Sequence, residues 1–160
     1  WSYSYTFTWY FFSLYDKMIL ALLLLIINVY IIINIKEPEK ISEIKKRYRI
    51  LREHIKKENI EKFQVITKEL PITYFKNIKS GYIGYNTDKG GEIGLCINGE
   101  INEIFHVLLH ELTHSTVKEY SHSPEFWKNY KELREIAISL GIYKEIPDKT
   151  EFCGKHVQDK

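Results

Sequence analysis

The sequence predicts an α+β protein with a single apolar helix ahead of a small mixed domain. Three observations lead there. Residues 19–35 are apolar on every face. Short β-rich runs between residues 63 and 97 are punctuated by Pro and Gly, and two later stretches repeat their apolar residues at helical spacing.

Length and composition narrow the possibilities. Of the 160 residues, about 125 remain outside the apolar segment, enough for one domain with a real core. The net charge of +2 is too small to imply a nucleic-acid or acidic partner. Aromatic residues make up 14% of the chain, which fits a folded domain and not a disordered one. Cys96 and Cys153 are the only cysteines, too few for a disulfide framework or a four-cysteine zinc site. One disulfide is open to them only in an oxidising compartment.

The elements follow in order. The only Met, Met18, stands directly before the apolar run, so translation is expected to start there. Residues 1–17 are then non-native, or else a short N-terminal segment with interfacial Trp and Tyr. Residues 18–35 are expected to form a transmembrane anchor. Five Leu, seven Ile and one Val in 19–35 favour insertion by roughly 4 to 8 kcal/mol, opposed by less at Asn28 and Asn34. A signal peptide is the rival reading. No small-residue cleavage site follows, and the run passes straight into Lys36-Glu37-Pro38. Lys36, Lys40, Lys45, Lys46, Arg47, Arg49 and Arg52 follow the span, against Lys17 before it. That asymmetry places the C-terminal domain on the cytoplasmic side, where both cysteines would stay reduced.

Residues 36–62 are expected to be a juxtamembrane amphipathic helix. Ile41, Ile44, Tyr48, Leu51 and Ile55 fall on one face, and the opposite face is basic, solvated or resting on phospholipid. Residues 63–160 form the remaining domain. Strands are expected at 63–67, 72–75, 82–86 and 92–97, with breaks at Pro71 and Lys79-Ser80-Gly81 and a hairpin turn at Asp88-Lys89-Gly90-Gly91. A helix begins near Asn102 and buries Ile101, Ile104, Phe105, Leu108 and Leu112. Ser123 caps a second helix with Pro124 at its first position. Phe126, Tyr130, Leu133, Ala137 and Leu140 line that helix until Gly141 stops it, and an irregular tail follows.

The first of these helices carries His110-Glu111-Leu112-Thr113-His114. Histidines four apart lie one turn above each other on one face, so both imidazoles can converge on a single metal ion. Glu111, beside the first of them, is placed to take a proton from a water on that metal without ligating it. A hydrolytic zinc site needs a third protein ligand and an open position. His122 is the expected third ligand, folded back by residues 118–121; Glu119 and Glu132 are alternatives. His106 would lie a further turn up the same face. A straight helix cannot wrap three such residues round one ion, since the outer pair is about 12 Å apart, so His106 reads as a helix-start or rim residue. His54 and His156 are expected to face solvent. Cys153 is expected to be a buried small side chain. A latency thiol, or the fourth ligand of a purely structural zinc site, is the competing role. Tyr120, adjacent to the ligand loop, is a candidate for oxyanion stabilisation.

On these residues the chain resembles the zincin metallopeptidases of the WLM/SprT-like type, with His122-Ser123-Pro124-Glu125-Phe126 matching the H-x-x-x-F segment that follows HExxH. Seven residues separate His114 from His122 here, where that group has five, so substrate specificity is not carried over. Residues 92–97, 107–114, 122–127 and 152–154 are also similar to small metallopeptidase-like proteins of large DNA viruses. The resemblance implies a zincin-like fold, a small sheet packed on the HExxH helix and a following helix, with Zn²⁺ on His110, His114 and His122. The implied activity is that of a membrane-anchored zinc metallopeptidase acting on a peptide or protein, with Glu111 as its catalytic base. Two other readings stand beside it: a non-catalytic zinc-binding membrane or virion structural protein, and a protease acting on DNA–protein crosslinks.

Overall fold

The computed structural model describes residues 3–34, 36–76 and 81–159. Ile35, the last residue of the expected anchor, and Lys79 and Ser80, of the expected break, lie outside them. Two compact units divide the chain, Trp1–Glu37 and Pro38–Lys160.

The first unit is helix α1, Tyr3–Asn34. Its stretch Leu14–Asn34 is long and apolar enough to cross a membrane, a test that a signal sequence also passes. None of that stretch is buried in protein. The two polar residues expected to oppose insertion satisfy themselves locally: Asn28 Nδ2 donates to the Leu24 carbonyl at 2.7 Å and Asn34 Nδ2 to that of Tyr30 at 2.8 Å. An amide bonded within its own helix costs less to place in an apolar solvent than a bare one.

The second unit opens with α2, Glu39–Lys57, whose predicted stripe of Ile41, Ile44, Tyr48, Leu51 and Ile55 is wholly buried. The helix is therefore part of this unit's core. Several of its basic residues have partners within the unit. Lys40 Nζ bonds the Gly99 carbonyl at 2.6 Å and Arg47 Nη1 that of Ile142 at 2.9 Å. The expected strand at 63–67 is instead a 3₁₀ helix, Glu61–Thr67. Its residue types favour a strand, but Phe63 and Ile66 are fully buried and Val65 is exposed. A three-residue burial period belongs to the 3₁₀ geometry, and packing has overridden β-propensity.

Three strands follow: β1 (Ile72–Phe75), β2 (Gly84–Thr87) and β3 (Glu92–Cys96), in spatial order β1-β3-β2. β1 runs parallel to β3 and β2 antiparallel. The central β3 is the most buried of the three, and β2 forms an edge. β2 starts two residues later than expected. The Asp88–Gly91 hairpin turn is as read, with Asp88, Lys89 and Gly90 at φ +48°, +53° and +114°. Gly94 lies opposite Tyr85, and a Cβ there would meet the tyrosine ring at 2.1 Å, so the ring covers the bare backbone.

Helix α3, Ile101–His114, is the centre of the unit, buried from Ile104 to Leu109 and again from Glu111 to Thr113. It packs on β2, β3, α2 and the next helix, α4, Pro124–Ser139. Ser123 caps α4 as expected, its Oγ accepting from Phe126 N at 3.2 Å, and Gly141 ends it at φ +69°.

Two expectations fail beyond this point. The tail is not irregular throughout: β4 (Thr150–Phe152) and β5 (Lys155–Val157) form a second, two-stranded sheet. Nor are the cysteines reduced. Cys96, at the end of β3, is bonded to Cys153 in the β4–β5 turn, with Cα atoms 6.5 Å apart. Strands of three residues are too short for a periodic signal, and the bond joins positions 57 residues apart, so local pattern reveals neither.

Candidate metal centre

α3 presents His110 and His114 one turn apart, with ring centroids separated by 5.0 Å. The third imidazole returns from the loop after α3. His122 Nε2 lies 3.0 Å from His110 Nε2, and one ligand atom from each of the three rings falls within 4.8 Å of the others. Two nitrogens about 2.0–2.1 Å from one tetrahedral ion would stand about 3.3 Å apart, close to the His110–His122 separation, and the three rings together could hold a metal ion. Among the described residues this is the one such cluster of His, Cys, Asp or Glu.

Two features hold His122 in place. Lys89, from the hairpin turn, donates to the carbonyls of Val117 and Glu119 at 2.8 Å each and lies 3.4 Å from that of His114. It thereby caps the C-terminal end of α3 and shapes the loop that carries His122 back. Phe126, fully buried on the first turn of α4, lies against all three imidazoles at centroid distances of 5.0, 4.6 and 4.6 Å. The H-x-x-x-F spacing is thus a floor for the cluster: capping at Ser123 starts a helix whose third residue is that ring.

The competing ligands are engaged elsewhere. Glu119 accepts a hydrogen bond from Ser123, which holds its carboxyl below the usual range. Glu132 pairs with Lys62. Cys153 is tied to Cys96 and cannot close a fourth position. Tyr120 is exposed, with the Lys89 ammonium over its ring at 4.3 Å. His156 is exposed and His54 half-buried.

The electrostatics suit a metal and a base. Burial first, then the charges of His122 and Lys89, push His114 down to about 4, so its imidazole is neutral near pH 7 and keeps a lone pair for a cation. Burial pushes the Glu111 carboxyl up to about 7. Its position depends on Gly84 of β2, where a Cβ would lie 2.4 Å from Val107 Cγ1 and 3.0 Å from Glu111 Oε1. A cleft of about 200 Å³ opens beside this carboxylate, between Tyr82, Ile83 and Gly84 on one side and His106, Val107, His110 and Glu111 of α3 on the other, with Lys155 also lining it.

His106 departs from expectation. It is neither at the helix start nor on a rim but 8% exposed, with Nδ1 3.0 Å from the hydroxyls of both Tyr130 and Tyr143. Spacing along α3 marked it only as a competitor for the metal; its partners lie 24 and 37 residues further on, beyond the reach of a helical pattern. No protein-family model, no curated protein and no solved structure matches the chain.

Proposed function

We propose that the chain is a membrane-anchored zinc metallopeptidase of zincin-like fold, tethered through residues 18–35 and hydrolysing peptide bonds in a peptide or protein substrate. The observation that carries this reading is the convergence of His110, His114 and His122 beside a buried carboxylate, Glu111, at the edge of a cleft. Three imidazoles leave a fourth tetrahedral position for solvent or substrate. Zinc bound there would lower the pKa of a water from about 16 towards 7 and polarise a carbonyl.

The chain's own residues do the rest. Glu111, too far round the helix to join the ligands, accepts the proton of the attacking water and passes it to the departing amine. A carboxyl pushed up to about 7 is matched to both halves of that exchange at neutral pH. The neutral His114 binds without first losing a proton. Phe126 shields the inner face of the ligands from water. A purely structural zinc site would need a fourth protein donor, and the disulfide removes the thiol that could have served.

The test is Glu111→Gln, assayed on a quenched peptide library with and without chelator. We expect one zinc per chain in both proteins and a loss of cleavage of about 10²–10⁴-fold in the variant. A variant that cleaves at the wild-type rate would remove Glu111 from the mechanism. A wild-type chain that binds no zinc would remove the metal centre.

A further inference from the structure

The last four carbonyls of a helix have no partner within it. In α3 these belong to Glu111, Leu112, Thr113 and His114. Ser115 N takes that of Leu112 at 3.1 Å and Thr116 N that of Thr113 at 2.9 Å. The other two are met from the β2–β3 hairpin: Asn86 Nδ2 donates to the Glu111 carbonyl at 2.6 Å, and Lys89 Nζ lies 3.4 Å from that of His114. Beyond the helix, residues 115–123 form no helix or strand, so the backbone that returns His122 also needs partners from elsewhere.

Lys89 is an unusual residue for its place. Hairpin turns with positive φ favour Asn or Gly, yet Asp88 and Lys89 stand at +48° and +53°. A left-handed lysine strains the backbone where a glycine would not, and its side chain is what the turn gains. The three N–H groups of the ammonium face three carbonyls, those of Val117 and Glu119 at 2.8 Å each and that of His114 at 3.4 Å. The Tyr120 ring lies against the same ammonium at 4.3 Å. The loop is thus folded round a cation that the chain itself supplies. Asn86 fixes the turn against the helix end: its Nδ2 also donates to Ser115 Oγ at 2.9 Å, and its Oδ1 accepts from Gly90 N at 2.7 Å.

We propose that Lys89 is a positioning residue of the metal centre: its ammonium, held on the turn by Asn86, orders the loop so that the His122 imidazole stands beside His110 and His114 before a metal arrives. Lys89 ligates nothing and acts through His122. A ligand that is already in place adds no ordering cost to the binding step, so the contribution of Lys89 is read in metal affinity. This role rests on the metal-centre part of the reading above and not on peptide hydrolysis.

The test is a double-mutant cycle on the full chain in detergent: wild type, Lys89→Gly, His122→Ala and the pair, each titrated with zinc against a chromogenic chelator. Glycine suits the φ of this position, so metal-free Lys89→Gly should melt within about 5 °C of wild type. We expect its zinc affinity to fall about 10–100-fold, the usual effect of losing a partner outside the ligands themselves. In the His122→Ala background the same substitution should change affinity less than about threefold, because the residue through which Lys89 acts is gone. With Co²⁺ as a visible probe of coordination, the spectrum of Lys89→Gly should shift towards that of His122→Ala. Wild-type zinc affinity in Lys89→Gly would overturn the proposal, as would equal losses with and without His122. A metal-free melting temperature lowered by more than about 10 °C would also overturn it, by making Lys89 a residue of the fold. A wild-type chain that binds no zinc sinks the metal centre and this role with it. One that binds zinc but cleaves no peptide sinks the peptidase reading alone, and the cycle still decides the role of Lys89.

Discussion

Asp159 shows how much a single residue near the end of the chain can control. Burial alone would raise its carboxyl, but hydrogen bonds from His106, Ile146 N and Tyr143, with the charge of His106, outweigh burial and hold it well below the usual carboxylate range. The folded state therefore binds this proton less readily than the unfolded chain, whose Asp titrates near 3.9. Above about pH 4 the stabilisation is fully present; as pH falls further the unfolded chain takes up the proton first, and stability declines until the folded carboxyl protonates too. Asp159→Asn lacks this slope. We expect wild type to exceed the variant in urea midpoint at pH 6, in chelator-treated protein, with the gap narrowing as pH falls below about 4. A gap that stays constant from pH 6 to pH 3 would show that the carboxylate is not held ionised by its neighbours. None of this was legible in the sequence, because the groups converging on Asp159 come from α3, α4 and the segment after it. The metal cluster was legible because two of its members share one helix and the third precedes a cap-and-proline signal.

At the scale of elements, legibility followed length and period. α2, α3 and α4 each sustain an apolar stripe over several turns, and all three stand close to where the stripes end. The 3₁₀ helix and the β4–β5 hairpin are too short for such a signal, and pattern cannot reveal the bond that ties the hairpin to β3. That bond matters for the cleft, since the hairpin supplies Lys155 to its lining and Phe152 packs where a Cβ on Gly99 would come within 2.2 Å. Closing a loop of 57 residues restricts the unfolded chain by about 4 kcal/mol in the loop-entropy account, with 2–4 kcal/mol typical of measured bridges. The bond also disagrees with the charge asymmetry about compartment. Of the basic residues after the span, Lys40, Arg47 and Arg52 have partners inside the folded unit, so part of that asymmetry serves the fold. Alkylation of native protein without reductant is expected to label neither cysteine. Reduction should expose both and lower stability by about 2–4 kcal/mol in denaturant titration. Two thiols labelled without reductant would restore the cytoplasmic placement and remove the bridge.

At the scale of the whole molecule, the question is what the second unit requires from the first. Every buried apolar side chain of the core lies between Ile41 and Val157, and the partly buried residues packed against it lie between Ile50 and Leu140. The three imidazoles, Glu111 and the cluster around Asp159 are all within Pro38–Lys160 as well. The apolar residues of Leu14–Asn34, by contrast, have no protein cover and bond their asparagines within their own helix. A helix with that pattern is long and apolar enough to cross a membrane. The core of residues 38–160 and its three imidazoles are therefore built from that unit's own residues. Residues 38–160 expressed alone should be monodisperse without detergent, bind one zinc, and unfold in one transition, as single domains of this size do. Their melting temperature should match that of the domain transition of the full chain in detergent. Aggregation of the fragment, or loss of its zinc while the full chain keeps it, would mean that the anchor completes the fold and that the core is not closed at Ile41.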